Sequence, residues 1–357
     1  DVCSSDLPHL PLPLAAARRD FTINAVYLDP LTDEVADPWN GLADLAARRL
    51  RHTSEAFAED PLRVLRGMQL ASRYELSVDP ATVAACRRMT PEGLARERLF
   101  GEWEKLLTCG GRPSLGLGFL NDTGWLDYYP ELAALRGCPQ DPRWHPEGDV
   151  WTHTGHSLDV FAGELSGDRA EDLVVGLAVL CHDLGKPGTT ETVDGRVRAY
   201  GHEGLGGDRA RAFLGRLTES RALVEQVVAL VHEHMRPSAL HKASASDAAI
   251  RRLAVRVGRI DRLVRVARAD ALGRPPLPDD GYPAGDWLLQ AARRLAIETG
   301  PPAPIVLGRH LIALGLEPGP DFGRLLDLCY EAQLAGRFTD EAGGRVFAAR
   351  LVHREGG

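Results

Sequence analysis

The first residues that could do chemistry lie near the start of the chain, where Arg18 and Arg19 precede Asp20. Guanidinium groups pair with phosphate oxygens, and a carboxylate can accept a hydrogen bond from a ribose hydroxyl. Three such residues at the entrance of a predicted strand could therefore hold a nucleoside triphosphate. On physical grounds alone, a surface salt-bridge cluster is the commoner explanation of the same pattern.

A second group is formed by Asp60 and Arg63, which stand three residues apart in a predicted helix over residues 59–74. Residues at this spacing share one face of a helix. Cytosine and adenine both present an exocyclic amine beside a ring-nitrogen acceptor, so this carboxylate and guanidinium could recognise either base. Uracil and guanine present the reverse pattern and would leave both side chains mispaired. An ordinary helix ion pair is the alternative interpretation.

A third group joins histidines to aspartates in the middle of the chain. Residues 180–187 (LCHDLGKP) end an apolar segment with adjacent His and Asp, and imidazoles with carboxylates are ligands for a divalent transition metal. A lone buried histidine is more often structural, but this string resembles the HD phosphohydrolase superfamily. The resemblance implies the metal ligands His153, His182, Asp183 and Asp270. It further implies that His202 and His232 are phosphate contacts or second-metal ligands, with His234 as an alternative to His232 and His156 as a mere neighbour.

Three segments resemble motifs B, C and D of the class II tRNA nucleotidyltransferase family, in the family's order and spacing. They are residues 18–25 (RRDFTINA), 37–45 (DPWNGLADL) and 59–66 (EDPLRVLR). The resemblance implies that nucleotide is bound by Arg18, Arg19, Asp20, Asp60, Arg63 and Arg66. It also implies that tRNA is the partner, that CTP and ATP are the substrates, and that motif D acts as an amino-acid template for the base.

Two further features bear on this resemblance. Motif C departs from the family at Asn40, where a glycine is usual at a turn position. Residues 96–105 resemble motif E, which is expected to brace the template helix through buried charge pairs. A solvated, charged helix face is the alternative for residues 96–105.

The magnesium ligands that the family resemblance implies are missing from the sequence. They should follow a Gly-rich turn as an Asp-x-Asp pair holding two Mg²⁺ ions, and no Asp-x-Asp occurs among the 357 residues. Residues 1–7 (DVCSSDL) match a translated sequencing-library adapter, so residues 1–14 are expected to be a non-native start. We therefore predict no catalytic residue for nucleotidyl transfer in this chain, and expect the natural protein to extend upstream.

Composition sets the remaining limits. The net charge of −8 excludes a histone-like basic protein, although a local basic surface suffices to bind RNA. The six cysteines form no Cys-x-x-Cys pair and are interpreted as buried thiols in a reducing compartment. No apolar run is long enough to span a bilayer, and the start has no signal-peptide pattern. We expect a cytoplasmic protein without membrane contact, and the sequence shows no protein partner.

The periodicity of apolar residues predicts a mainly α fold. A strand over residues 21–29 with a return strand near 34–36 is expected as the remnant of an α/β nucleotidyltransferase head. An all-helical neck, an HD-type helical domain and a helical tail follow. The predicted helices span 59–74, 80–89, 95–107, 152–165, 171–184, 204–217, 221–234, 246–256, 259–272, 284–299, 321–336 and 339–352. The predicted domains are the start at 1–14, a partial head at 15–52, the nucleotide- and RNA-binding neck at 53–144, the HD domain at 145–273 and the tail at 286–357.

Three functions are compatible with these patterns. The first is addition of C and A to the 3′ end of tRNA, with an associated metal-dependent HD phosphohydrolase. The second is a stand-alone HD phosphodiesterase or phosphatase, and the third is a non-catalytic RNA-binding module. The sequence does not distinguish CCA addition from addition of A, of CC or of poly(A).

Overall fold

The computed structural model describes residues 11–278 and 280–355, except for the side chains of residues 354 and 355. Residues 1–7, interpreted above as adapter-derived, lie outside the described residues. The chain divides into two compact units. The first comprises residues up to 232 together with 269–280, and the second comprises residues 233–268 together with those from 281 onward.

Helices dominate both units. In chain order the helices are α1 Leu12–Ala17, α2 Gly41–Ala46, α3 Leu62–Tyr74, α4 Pro80–Cys86, α5 Arg96–Cys109, α6 Pro113–Asp122, α7 Pro130–Ala133, α8 Val150–Ala162, α9 Arg169–Cys181, α10 Lys186–Thr189, α11 His202–Gly215, α12 Arg221–Glu233, α13 Arg236–Lys242, α14 Asp247–Val257, α15 Ile260–Leu272, α16 Pro283–Arg294, α17 Gly308–Ala313, α18 Pro320–Leu334 and α19 Glu341–Glu355. The strands are β1 Tyr27–Leu28, β2 Val35–Ala36, β3 Arg49–Leu50, β4 Ser77–Val78, β5 Thr190–Val193 and β6 Arg196–Ala199. They pair as β1–β2, β3–β4 and β5–β6, of which only β3–β4 is parallel.

The head segment contains more turn than strand. Phe21 makes a single bridge, Thr22–Asn24 is one 3₁₀ turn, and only β1 continues as strand, paired with β2. The predicted strand over residues 21–29 is therefore wrong for its first half, whereas the return strand is confirmed. The cause is local: the carboxylate of Asp20 accepts from the amide of Phe21 at 2.8 Å and from the side chain of Asn24 at 3.1 Å. Such side-chain bonds close a turn in competition with the strand.

Helix α3 is the centre of the helical region that follows the head, and it packs against α5 and α6. Gly116 allows the close approach of α6, because a Cβ there would lie 2.6 Å from the carbonyl oxygen of Met68. Trp103 of α5 is fully buried, and its ring centroid lies 5.1 Å from that of Tyr129 and 5.6 Å from that of Phe213. Edge-to-face packing of buried rings stabilises this core.

Capping aspartates fix the N-terminal ends of α8 and α9. Asp149 accepts from the amide of Thr152 at 2.9 Å and begins α8, while Asp168 accepts from the amides at the start of α9. An aspartate N-cap typically contributes about 1 kcal/mol to a helix. These caps set the positions of His153, in the first turn of α8, and of His182, which directly follows α9.

Among its described residues, the second unit contains helices and loops and no strand. Two hydrogen bonds of 2.8 Å and 2.6 Å between Arg294 and Asp247 join α16 to α14. Helices α17, α18 and α19 enclose a separate apolar core. Its buried members are Val306, Leu311, Leu325, Cys329, Ala332, Phe338 and Ala348.

The mainly α fold is confirmed, and every predicted helix is present with its ends shifted by a few residues. The helices that prediction missed are mostly short, such as α1, α2 and α10. The hairpin β5–β6 was also missed, although Asp194 and Gly195 both take positive φ angles of 50° and 70°, typical of a two-residue hairpin turn. Within the described part of the chain, no helix is both long and apolar enough to cross a membrane.

Candidate metal centre and nucleotide-binding cluster

The four predicted metal ligands meet in the first unit. Nε2 of His153 lies 3.3 Å from Nε2 of His182, 3.1 Å from Oδ1 of Asp270 and 3.8 Å from Oδ2 of Asp183. Nε2 of His182 lies 3.1 Å from the same oxygen of Asp183. Three of the four side chains are almost completely buried, and Asp270 is 19% exposed. The structure thus brings together residues from α8, from the end of α9 and from α15.

The two imidazoles are oriented by acceptors on their far side. Nδ1 of His182 donates to the carbonyl oxygen of Val179 at 2.7 Å, and Nδ1 of His153 faces the carboxylate of Glu147 at 2.8 Å. Since both partners only accept, each ring carries its proton on Nδ1 and directs Nε2 at the other ring. Two Nε2 lone pairs at 3.3 Å repel unless a proton or a cation lies between them. The donor set therefore fits a divalent transition metal.

In the absence of a metal ion, the surrounding carboxylates favour a second proton on His153, which a metal ion at Nε2 would displace. Burial lowers the pKa of His153, but its hydrogen bonds to Asp270 and Glu147 outweigh burial and raise that pKa to about 9. Burial likewise opposes ionisation of Asp183, yet His182 and Lys186 hold the pKa of its carboxyl well below the usual range. Oδ2 of Asp183 lies 2.7 Å from the ammonium of Lys186 and 3.1 Å from Nε2 of His182, so a positive group already lies beside this buried oxygen.

Of the two histidines expected as phosphate contacts, the structure brings one to the cluster. Nε2 of His202 lies 3.5 Å from Oδ1 of Asp183, and its Nδ1 faces the carbonyl oxygen of Ala199 at 2.8 Å. His232 is exposed, with its ring against Gly207, and belongs to no close group of metal-ligating side chains in the described ranges. His156 belongs to none either.

In the head, Asp20 and Arg66 form an ion pair. Nε of Arg66 donates to Oδ2 of Asp20 at 2.7 Å, and only 6% of the Asp20 side chain is exposed. Burial raises the pKa of Asp20, but Arg66 and the bond from Asn24 outweigh burial and lower it. Arg18 and Arg19 are exposed beside this pair, and Nε of Arg19 donates to the carbonyl oxygen of Asn24. Asp20 and Arg66 are therefore held by their ion pair, whereas the side chains of Arg18 and Arg19 are exposed to solvent.

Asp60 lies outside the helix on which it was predicted. Helix α3 begins at Leu62, and Asp60 is extended, with φ −131° and ψ 102°. The cause is Pro61, whose ring disfavours helical angles at the preceding residue. Asp60 instead accepts from the amide of Leu62 at 3.1 Å, while the guanidinium of Arg63 donates to the carbonyl oxygens of Ala56 and Arg18, at 2.6 Å each. The backbone amide of Arg63 donates to the carbonyl oxygen of Asp60 at 3.0 Å, but no helix face aligns the two side chains.

Known proteins resemble this chain over most of its length. A model of the Poly A polymerase head domain matches residues 12–51, and one described as "Probable RNA and SrmB- binding site of polymerase A" matches residues 75–135. The Multifunctional CCA protein of Xanthomonas oryzae pv. oryzae is 36% identical over 325 residues, which cover 87% of this chain and 74% of that protein. The chain belongs to the class II CCA-adding enzyme family. A second CCA protein, from Laribacter hongkongensis, is 39% identical over 290 residues, covering 77% of this chain and 68% of its own length.

Solved structures of CCA-adding enzymes share the fold. A CCA-adding enzyme in complex with CTP superposes with a TM-score of 0.55 at 16% identity, covering 99% of this chain and 75% of that one. The Thermotoga maritima CCA-adding enzyme complexed with tRNA gives a TM-score of 0.53 at 16% identity, covering 96% and 74%. A nucleotidyltransferase head with a helical body is thus the architecture of this chain.

In this chain, motif C of the CCA-adding family forms a turn that is held by the buried carboxylate of Asp44. Asn40 takes φ 57° and ψ 37°, which explains why a glycine is usual there and why asparagine substitutes for it. The carboxylate of Asp44 is fully buried and accepts from Thr22 at 2.7 Å, from Arg49 at 2.7 Å and from Arg51 at 2.8 Å. This network holds the head segment against the start of α2.

Motif E of the CCA-adding family contacts motif D. Nη2 of Arg98 donates to Oδ2 of Asp60 at 2.8 Å, although 48% of the Arg98 side chain and 33% of the Asp60 side chain are exposed. Glu102 is buried and pairs with Lys105 at 2.8 Å. Helix α5 thus contacts Asp60 through a half-exposed ion pair and also carries a buried acid. It is neither a fully solvated charged face nor a set of wholly buried charge pairs.

Four residues near the metal ligands were not predicted as parts of the site. They are Gln140, His145, Glu147 and Lys186. Glu147 contacts both His145 and His153, and Lys186 lies 2.7 Å from Oδ2 of Asp183 and 2.7 Å from Oε1 of Gln140. Two sequence features could have identified some of them: the string His145-Pro-Glu147 just before α8, and the lysine that ends His-Asp-x-Gly-Lys. Spacing alone does not show that these side chains turn toward the cluster.

Proposed function

We propose that this chain binds CTP, ATP and tRNA as a member of the enzymes that add C and A to the 3′ end of tRNA, although its sequence lacks the Asp-x-Asp pair on which the transfer step depends. The proposal is carried by its match to the Multifunctional CCA proteins over most of their length. Further support comes from the solved relatives, which were described with CTP and with tRNA. The slightly basic segment over residues 48–105, which includes part of the RNA-binding match, is the proposed phosphate-facing surface.

Base selection is assigned to Asp60 and Arg63, with Arg18, Arg19, Asp20 and Arg66 as the surrounding nucleotide contacts. A carboxylate has several acceptor sites and a guanidinium has five donors. Asp60 and Arg63 can therefore keep their present protein contacts and still pair with the amine and ring nitrogen of C or A. The mispaired edges of U and G would be rejected.

The test measures incorporation of all four nucleotides by protein to which the family's Asp-x-Asp segment has been joined. Asp60→Ala and Arg63→Ala should lose the preference for C and A over U and G. Glu34→Gln, an exposed acid of the head, is the control and should leave the preference intact. An unchanged preference in both alanine variants would refute the template role.

The chain as printed is proposed to lack transferase activity of its own. Phosphoryl transfer needs metal ions to neutralise the developing charge and to align the attacking oxygen. The Asp-x-Asp pair that would hold Mg²⁺ does not occur in the sequence. The remaining clusters would then bind nucleotide only weakly.

A second function, metal-dependent phosphohydrolysis, is favoured by the convergence of His153, His182, Asp183 and Asp270. These four residues would hold one divalent transition metal, which would stabilise charge on a phosphate ester. Lys186 and His202 flank the same aspartate and would donate to phosphate oxygens.

The corresponding assay follows phosphate release from p-nitrophenyl phosphate and its bis ester by metal-loaded protein. His182→Ala should abolish a metal-dependent rate, and His156→Ala should keep it. Hydrolysis without nucleotide addition, in protein to which the Asp-x-Asp segment has been joined, would identify a stand-alone HD phosphodiesterase or phosphatase. Absence of both activities, with tRNA still bound, would leave an RNA-binding module.

A further inference from the structure

Glu147 is a buried carboxylate held between two imidazoles. Its Oε1 lies 2.8 Å from Nδ1 of His153 and 2.9 Å from Nδ1 of His145, and its side chain is 0% exposed. The two rings meet edge to face with centroids 4.8 Å apart. Because a carboxylate only accepts, both histidines donate through Nδ1. Glu147 therefore fixes the tautomer of His153 that directs Nε2 at Asp270 and His182.

We infer that Glu147 is a positioning residue for metal binding at His153, with His145 holding its carboxylate in place; the inference rests on the proposed metal site. A carboxylate that accepts from the far nitrogen of a ligating imidazole orients the ring and raises the basicity of the nitrogen that binds the metal. Removing its charge should therefore weaken metal binding while leaving all four metal ligands in the chain.

Two observations favour this role over simple packing. The carbonyl oxygen of Gly273 lies 3.2 Å from the same Nδ1 of His153, so the backbone offers only a longer, neutral acceptor. The bond to Glu147 is shorter and charge-assisted, and it dominates the orientation of the ring. Oε2 of Glu147 is buried and has no hydrogen-bond partner among the described residues. A half-satisfied buried carboxylate costs folding free energy, which an apolar side chain of similar shape would avoid.

The experiment titrates Co²⁺ into metal-free protein and follows its visible absorption. Glutamine at 147 keeps the size but is a weaker acceptor, so Glu147→Gln should bind Co²⁺ about 10- to 100-fold more weakly than wild type. His145→Gln should show a smaller loss. Glu191→Gln removes an exposed acid of the hairpin and should bind like wild type. Circular dichroism at the titration temperature establishes that each variant is folded.

The outcomes separate this inference from the proposed metal site. If wild type binds Co²⁺ and Glu147→Gln binds it equally well, the positioning role is overturned and the metal site stands. If wild type binds no Co²⁺, both are overturned. Two Co²⁺ ions per chain, one of them lost in Glu147→Gln, would make Glu147 a ligand and would overturn the positioning role. Should Glu147→Gln fail to fold, Glu147→Asp replaces it; the shorter carboxylate should weaken Co²⁺ binding, and wild-type affinity would overturn the inference.

Discussion

Arg66 of helix α3 donates from Nε to Oδ2 of Asp20 across 2.7 Å, and this ion pair joins the helix to the head segment. The sequence motifs predicted both residues as nucleotide contacts, and the structure pairs them with each other. Asp20 also closes the turn over Thr22–Asn24. A single carboxylate thus shapes the backbone of motif B and fixes its position against motif D.

Replacing Asp20 by asparagine should destabilise the protein. The variant leaves Arg66 without its charge partner, and the expected loss is about 1–3 kcal/mol, since the guanidinium is partly exposed and solvent screens the pair. Urea unfolding followed by circular dichroism measures the change. Glu34→Gln, at an exposed site in the same segment, should shift the midpoint little. Equal midpoints for the Asp20 and Glu34 variants would contradict the structural role of the ion pair.

The same pair predicts a pH dependence. The pKa of Asp20 is lowered in the folded state, because the effects of Arg66 and Asn24 outweigh burial. Its stabilisation is therefore present above the unfolded-state pKa of about 4 and is lost as pH falls through the lower folded-state pKa. Wild type should lose unfolding free energy more steeply than Asp20→Asn when the pH is lowered from about 5. Parallel acid profiles of the two proteins would count against this assignment.

Gly41 should tolerate no side chain. A Cβ at this position would lie 2.1 Å from the carbonyl oxygen of Thr22, so Gly41→Ala must displace the backbone of the head. Overpacking of this kind typically costs about 1–3 kcal/mol. Gly101 in α5 has no atom within 4 Å of its would-be Cβ, and Gly101→Ala should stabilise by up to about 1 kcal/mol. Thermal unfolding compares the two, and a neutral Gly41→Ala would contradict the close approach.

The fold was predictable where the periodicity of apolar residues extends over several turns, and every helix of eleven residues or more was predicted from it. The ten-residue helix α6 was missed, and the meeting of His153 with Asp270 was expected from the resemblance to the HD superfamily rather than from residue types alone. Prediction failed where a local side-chain bond or a proline overrides periodicity, as at Asp20 and at Asp60 before Pro61. It also failed for Glu147, whose role arises only when its loop folds back on α8. Such tertiary contacts produce no characteristic spacing of residues in the sequence.

Metal removal should destabilise the wild-type protein. A ligand present at a hundredfold its dissociation constant adds about 2.7 kcal/mol to the free energy of unfolding. EDTA should therefore lower the Tm of wild type and have no effect on His182→Ala, which should retain no metal by elemental analysis. His156→Ala, on the same helix as His153 but outside the cluster, should keep both metal and EDTA sensitivity. A wild-type Tm unaffected by EDTA, in protein that contains metal, would contradict a stabilising site.

Nucleotidyl transfer by the chain as printed should be absent. In the sequence, the nearest substitute for the Asp-x-Asp pair is formed by Glu102 and Glu104 on α5. The structure excludes them as a joint Mg²⁺ site, because Glu102 is buried against Lys105 at 2.8 Å, whereas Glu104 pairs with Arg169 at 2.8 Å. Without paired carboxylates the developing charge of the transferred phosphoryl group is not neutralised. Protein incubated with CTP, ATP, Mg²⁺ and tRNA lacking its 3′ end should therefore add no nucleotide above the background of protein-free reactions. Addition that requires Mg²⁺ and is lost in Arg63→Ala would show that other carboxylates hold the ions, and this account of the head would be wrong.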